Sequence, residues 1–252
     1  MEDQARMRFG FPSSFCRLSI LFGLLTLMTP AAAHAQWYVG AYLGANHTQP
    51  ATVEVAVPNR NLSVEFEDVE FEAKPFSAPQ YYGWRVGRMF GSTGRVGVEL
   101  EFIHAKMYAK TDQVYPIQDR TGLLDLPAQT PMSGLVQRYA MSHGLNFILF
   151  NVVVKQPIGT GPVSLVVRGG AGPTLPHAES TVLTTPREQY EYGGLGLDGA
   201  IGLDIKLKGR LSAMSEYKLT YAKPEISVAG GTGQTTALAH QINFGITFGF
   251  AR

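Results

Sequence analysis

Residues 237–250 (ALAHQINFGITFGF) alternate with almost no exception: Leu238, His240, Ile242, Phe244, Ile246, Phe248 and Phe250 share one parity, and small or polar residues take the other. Successive side chains of a strand point to opposite faces, so this segment has one greasy face and one small or polar face. The apolar parity is long and aromatic-rich, which fits a strand held between lipid and a polar lumen.

At the other end of the chain, Arg6, Arg8 and Arg17 precede an apolar run over residues 18–28, and Ala33-His34-Ala35 supplies an A-x-A cleavage signal. Residues 1–35 therefore read as a cleavable signal peptide and residues 36–252 as the mature domain. The run is too short for a spanning helix, and no later stretch approaches the roughly 20 apolar residues such a helix needs. Integral membrane contact then requires a closed barrel. Cleavage removes Cys16, leaving no disulfide and no thiolate ligand. It also leaves eighteen basic and eighteen acidic residues, so nucleic-acid binding has no electrostatic footing.

Eight segments have strand character: 37–46, 80–90, 95–108, 136–155, 163–175, 189–207, 210–221 and 237–250. Tight turns at 91–94, 156–162 and 208–209 alternate with longer polar loops at 47–79, 109–135, 176–188 and 222–236. Short turns on one side and long loops on the other predict an all-β fold, a closed antiparallel transmembrane barrel of eight strands in a Gram-negative-type outer membrane.

Parity assigns the faces. Val96, Val98, Leu100 and Phe102 turn to lipid, as do Tyr82, Trp84, Val86, Leu165 and Val167. The lumen collects Arg85, Glu99, Glu101, Arg168, Asp198, Asp204, Glu216 and Lys218, with both signs present. Eight strands enclose just enough room for their own side chains, so an ion-pair network is favoured over a pore. Segment 136–155 is apolar on both parities and does not declare its faces.

No G-x-S-x-G, H-E-x-x-H, phosphate-loop or Rossmann motif occurs, nor any flavin or haem motif. What remains is a histidine set. Parity carries His104 and Lys106 to the outward face near the outer end of the third strand, His177 and Glu179 to the same face beyond the fifth, and His143 to the parity of Leu145, Phe147 and Leu149. Imidazoles at that level serve as interfacial anchors or form a lipid-facing site. In the second case His104, His177 and Glu179 supply acid–base groups, and His104, His143 and His177, with Glu179 or Glu191, hold a divalent or redox metal. Lys106 would then grip a lipid phosphate. His240 lies on the eighth strand and His47 in the first outer loop, apart from the set. The stretch Glu65, Glu67, Asp68, Glu70 and Glu72 alternates with Val64, Phe66, Val69 and Phe71; it reads either as a solvated loop or as a hairpin offering a protein-binding edge.

The stretches 97–109 (GVELEFIHAKMYA), 81–85 (YYGWR), 144–146 (GLN), 170–179 (GAGPTLPHAE) and 216–222 (EYKLTYA) resemble, in order, stretches of the lipid A oxidase-like outer-membrane proteins. The histidines of the H-A-K and P-H segments match His104 and His177. The resemblance implies an outer-membrane enzyme that uses dioxygen to oxidise the proximal glucosamine of lipid A to an aminogluconate unit. Its partners would be outer-membrane lipid, lipopolysaccharide and the barrel assembly and periplasmic chaperone machinery. The alternative is a non-enzymatic barrel serving envelope integrity or adhesion through its outer loops.

Overall fold

The computed structural model describes residues 36–124 and 127–250; residues 1–35, expected from the sequence to be a signal peptide and containing Cys16, lie outside the described residues. Eight strands form the barrel wall: β1 (Gln36–Thr48), β2 (Tyr82–Phe90), β3 (Val96–His104), β4 (Phe147–Pro157), β5 (Val163–Pro173), β6 (Leu195–Lys208), β7 (Leu211–Ala222) and β8 (Ala237–Phe250). Each pairs antiparallel with the next, and β8 closes on β1 with Trp37 opposite Phe250 and His47 opposite His240. Ten residues of tilted strand between those two levels give a wall about 25 Å high. The hairpin β6–β7 turns through Gly209, whose φ of +60° sits in the left-handed region that glycine adopts without strain.

The outer wall is apolar: Val86, Leu100, Val152, Val167, Ile201 and Ile246 are exposed on it. Arg88 lies over the rings of Trp37 and Phe90, an arginine with its stem in the aromatic girdle at the short-turn end. Among the described residues no helix is long and apolar enough to cross a membrane; this wall crosses it with strands.

Inside, Tyr38 faces Gly87 and Tyr42 faces Gly83 across the β1–β2 ladder. A Cβ on either glycine would lie within 2.3 Å of the tyrosine ring, so the glycines are what let these rings lie along the wall. Their hydroxyls donate to Glu99 and Glu101, each at 2.7 Å. Arg85 binds Glu101 at 2.6 Å and Glu216 at 3.2 Å, and Lys218 reaches Asp198 at 3.0 Å and also contacts Glu101. Arg168 contacts Glu99 and Glu216, while Lys155 holds Asp204 at 2.8 Å. The lumen is thus crossed by a network of paired charges, and below it lies a cavity of about 220 Å³ at the short-turn end.

The outer segments depart from the expectation of polar loops. They form two sheets. One runs Thr185–Tyr190, His177–Val182, Val136–Met141, Met107–Ala109 and Phe71–Glu72; the other runs Glu225–Val228, Gly231–Thr235, Ala51–Val57, Leu62–Val69, Val114–Asp119 and Gln129–Pro131. Val53, Phe66, Met132, Tyr139, Met141 and Ile226 are buried in a single apolar cluster shared by the two sheets. The ring of Tyr139 lies against Gly233 of the opposite sheet. The polar look of these segments came from their outward parity alone.

Three strand expectations change accordingly. The segment 95–108 ends as wall at His104 and resumes as Met107–Ala109 in the cap; 136–155 breaks at residues 142–146; and 189–207 breaks at 191–194. The acidic stretch does form a hairpin, Ala51–Val57 with Leu62–Val69, but it is no free edge, because Val114–Asp119 pairs with its other side.

Candidate functional site

The turn 142–146 carries the site. Gly144 has φ +92°, and a Cβ there would stand 2.6 Å from both His104 Nδ1 and Asn146 Oδ1, so this corner of the chain is restricted to glycine. The turn is strapped on both sides: Leu145 N–H donates to Ala105 C=O at 2.7 Å, Leu175 N–H to Asn146 C=O at 2.9 Å, and His177 N–H to Gly144 C=O at 3.0 Å. Asn146 donates from Nδ2 to the carbonyls of His143 and Leu175, which leaves its Oδ1 to accept from His104 Nδ1 at 2.9 Å.

On the outer side of this turn, His143 Nδ1 and His177 Nδ1 lie 3.1 Å apart, their rings edge to face. Ser142 Oγ is 3.2 Å from each nitrogen and donates to Glu179 Oε1. His177 Nε2 faces Glu188 Oε1 at 3.2 Å, and the Tyr190 ring packs on the His177 ring at 4.3 Å. The antiparallel hairpin explains the arrangement: His177 sits opposite Tyr190 and Glu179 opposite Glu188, while Ala140 on the next strand faces Glu179. Arg138 binds the second oxygen of Glu179. Burial pushes the Glu179 carboxyl up, but the Ser142 hydroxyl and the Arg138 guanidinium outweigh it and hold the group below the usual carboxylate range.

The ligating atoms of His143, His177 and Glu179 all lie within 4.8 Å of one another, the one such group among the described residues. His143 is exposed, His177 buried and Glu179 half-buried. Exposed Leu175, Tyr190, Tyr192 and Leu195 flank the cluster. A serine nucleophile fits poorly here. The Ser142 proton is committed to Glu179, and the amides of Gly144, Leu145 and His177 are all committed to carbonyls, so these three amides supply no oxyanion hole.

The structure thus brings together two of the three expected histidines. His104 stays outside the cluster: it is buried beneath Gly144, stacked on Tyr82 at 5.0 Å, and acts by holding Asn146. Lys106 lies in the break after His104, where its buried ammonium donates to Ser77 C=O at 2.8 Å. Burial and the neighbouring Lys74 also push that ammonium below the usual lysine range. Glu191, the alternative carboxylate, instead accepts from the amide and hydroxyl of Ser227, both at 2.8 Å. His143 reaches the outer surface by the turn rather than by strand parity, because Phe147 and Leu149 face inward and Phe150 and Val152 outward. His240 belongs to a separate exterior set with Tyr217 and Gln49. Ser142, Glu188 and Arg138 were not anticipated; the pairing of the 177–190 hairpin, visible only with its turn placed, is what brings Glu188 in.

No protein-family model matches the chain. No curated protein matches it either. Among solved structures it is similar to Neisserial surface protein A, with 8% identity and a TM-score of 0.39 over 86% of this chain and 99% of that one. It is also similar to the N-terminal β-barrel domain of Pseudomonas aeruginosa OprF, with 9% identity and a TM-score of 0.38 over 86% and 98% of the two chains. Ail, the attachment invasion locus protein of Yersinia pestis, gives 10% identity and a TM-score of 0.33 over 85% and 99%. The closed antiparallel ladder, the apolar outer wall and the polar-filled lumen together make this chain an integral outer-membrane β-barrel.

Proposed function

We propose that this barrel is an enzyme of the outer leaflet and that it modifies lipid A, oxidising the proximal glucosamine. The observation that carries the reading is the His143, His177 and Glu179 cluster, outside the lumen and flanked by exposed tyrosines and leucines of the kind that meet a lipid headgroup layer. Such a site meets an amphiphilic substrate lying in the membrane. A solute passing through the barrel would not reach it. The choice of reaction rests on the resemblance carried by residues 97–109 and 170–179. In that reaction the anomeric carbon passes from lactol to carboxylate: water supplies the oxygen atom the sugar gains, and the two electrons and two protons released reduce dioxygen to hydrogen peroxide. Partners in this reading are outer-membrane lipid, lipopolysaccharide, and the assembly and chaperone machinery that inserts barrels.

Mass spectrometry of lipid A from cells with the wild-type gene, the His177→Ala variant or no gene is the test. The wild type is expected to show the oxygen-bearing species and the other two to lack it. Identical spectra in all three remove the enzyme reading. They would leave a second one, surface adhesion or envelope integrity, which the folded cap favours: it presents Glu65 and Glu67 outward on a strand whose other face is buried.

A further inference from the structure

We propose that His143, His177 and Glu179 form a binding site for a divalent first-row transition metal, with Glu188 as the group that orients His177. Four features of the cluster point the same way. The first is spacing. Two imidazole nitrogens bound to one tetrahedral ion at about 2.05 Å stand about 3.3 Å apart, and the two Nδ1 atoms here are separated by 3.1 Å. The second is tautomer. Glu188 faces His177 Nε2 at 3.2 Å and so keeps the proton there, which leaves the Nδ1 lone pair pointing into the cluster. A carboxylate behind a ligating histidine is the usual means of orienting the ring and raising its basicity.

Charge is the third feature. Glu179 and Glu188 bring two negative charges and Arg138 one positive charge, leaving an excess that a cation offsets. The fourth is donor type. Two imidazoles and one carboxylate suit zinc or ferrous iron, whereas calcium and magnesium prefer sites built wholly of oxygen. His143 is the exposed member and gives the ion its way in.

The ion would tie the turn 142–146 to the hairpin 177–190 whether or not the site acts on lipid A, so the inference does not rest on the proposed activity. Its test is made on purified, untagged barrel in detergent, stripped with chelator and titrated with Zn²⁺ by calorimetry and with Co²⁺ by visible absorption. One equivalent of Zn²⁺ is expected, together with the intense d–d bands of a low-coordinate Co²⁺ site. His143→Ala should abolish both; because His143 is exposed, that variant retains the fold, which heat-modifiable gel mobility checks. Glu188→Gln should weaken binding by roughly 10–100-fold. His240→Ala, on the opposite side of the barrel, should leave binding unchanged. Absence of saturable uptake, or uptake equally strong in His143→Ala, overturns the proposal. These readouts are independent of lipid A, so the two proposals fail separately.

Discussion

Asn146 joins three parts of the molecule through one amide: His104 on the wall, the His143 carbonyl on the turn and the Leu175 carbonyl at the foot of the hairpin. Replacing it with alanine leaves two carbonyls and a ring N–H without partners in a buried place. Each unsatisfied group of this kind costs about 1–3 kcal/mol, so Asn146→Ala should lower the urea midpoint of the refolded barrel. His104→Ala should weaken the same corner without touching the two facing histidines. The sequence marks His104 and His177 as notable residues but says little about their roles. Parity puts both on the outer face, yet one imidazole ends beneath a glycine corner and the other in a hydrogen-bonded cluster. The difference comes from the five-residue turn 142–146, which lies within a segment that reads as one strand.

The wall and cap strands obey the same period but bury different surfaces. In β3 and β8 the apolar parity meets lipid and the polar parity fills the lumen, so alternation read from the sequence assigns faces correctly. In Leu62–Val69 the apolar parity meets a protein core, and nothing local distinguishes that from lipid. Segment 136–155 was illegible because it passes from cap to wall, and both its parities are apolar where the upper lumen is greasy, at Leu145, Phe147 and Leu149.

The cap strands are tied by surface ion pairs, among them Glu65 with Arg120 across Leu62–Val69 and Val114–Asp119. The Arg120 hydrogen bonds hold the Glu65 carboxyl below the usual range. A carboxyl lowered on folding contributes stability that is present above its unfolded pKa and lost as pH falls through the folded value. On acidification from about pH 7 to about pH 3, the amide protection factors of these two strands, taken relative to the intrinsic exchange rate at each pH, should therefore fall, and less so in a Glu65→Gln variant that has already lost the pair.

At the scale of the whole molecule, barrel and cap are stabilised by opposite means. The cap has an apolar core. The barrel interior is held by Arg85, Arg168 and Lys218 against Glu99, Glu101, Asp198 and Glu216. Removing one partner of a buried network leaves an uncompensated charge and costs about 3–5 kcal/mol. Lys218→Met should thus destabilise the barrel by that amount in denaturant titrations, while Lys218→Met with Asp198→Asn should recover part of it. The membership of this lumen set was legible in the sequence because period-two alternation is indifferent to what lies outside the wall. The cap was not, because its pairing depends on segments far apart in the chain.

The cavity beneath the ion network lies at the short-turn end, lined by Ser212 and Thr247 and bounded by Arg85 and Glu216. The barrel interior is therefore a vestibule at that end with charged side chains for its floor, so a polar solute entering it meets the ion network before it meets the cap.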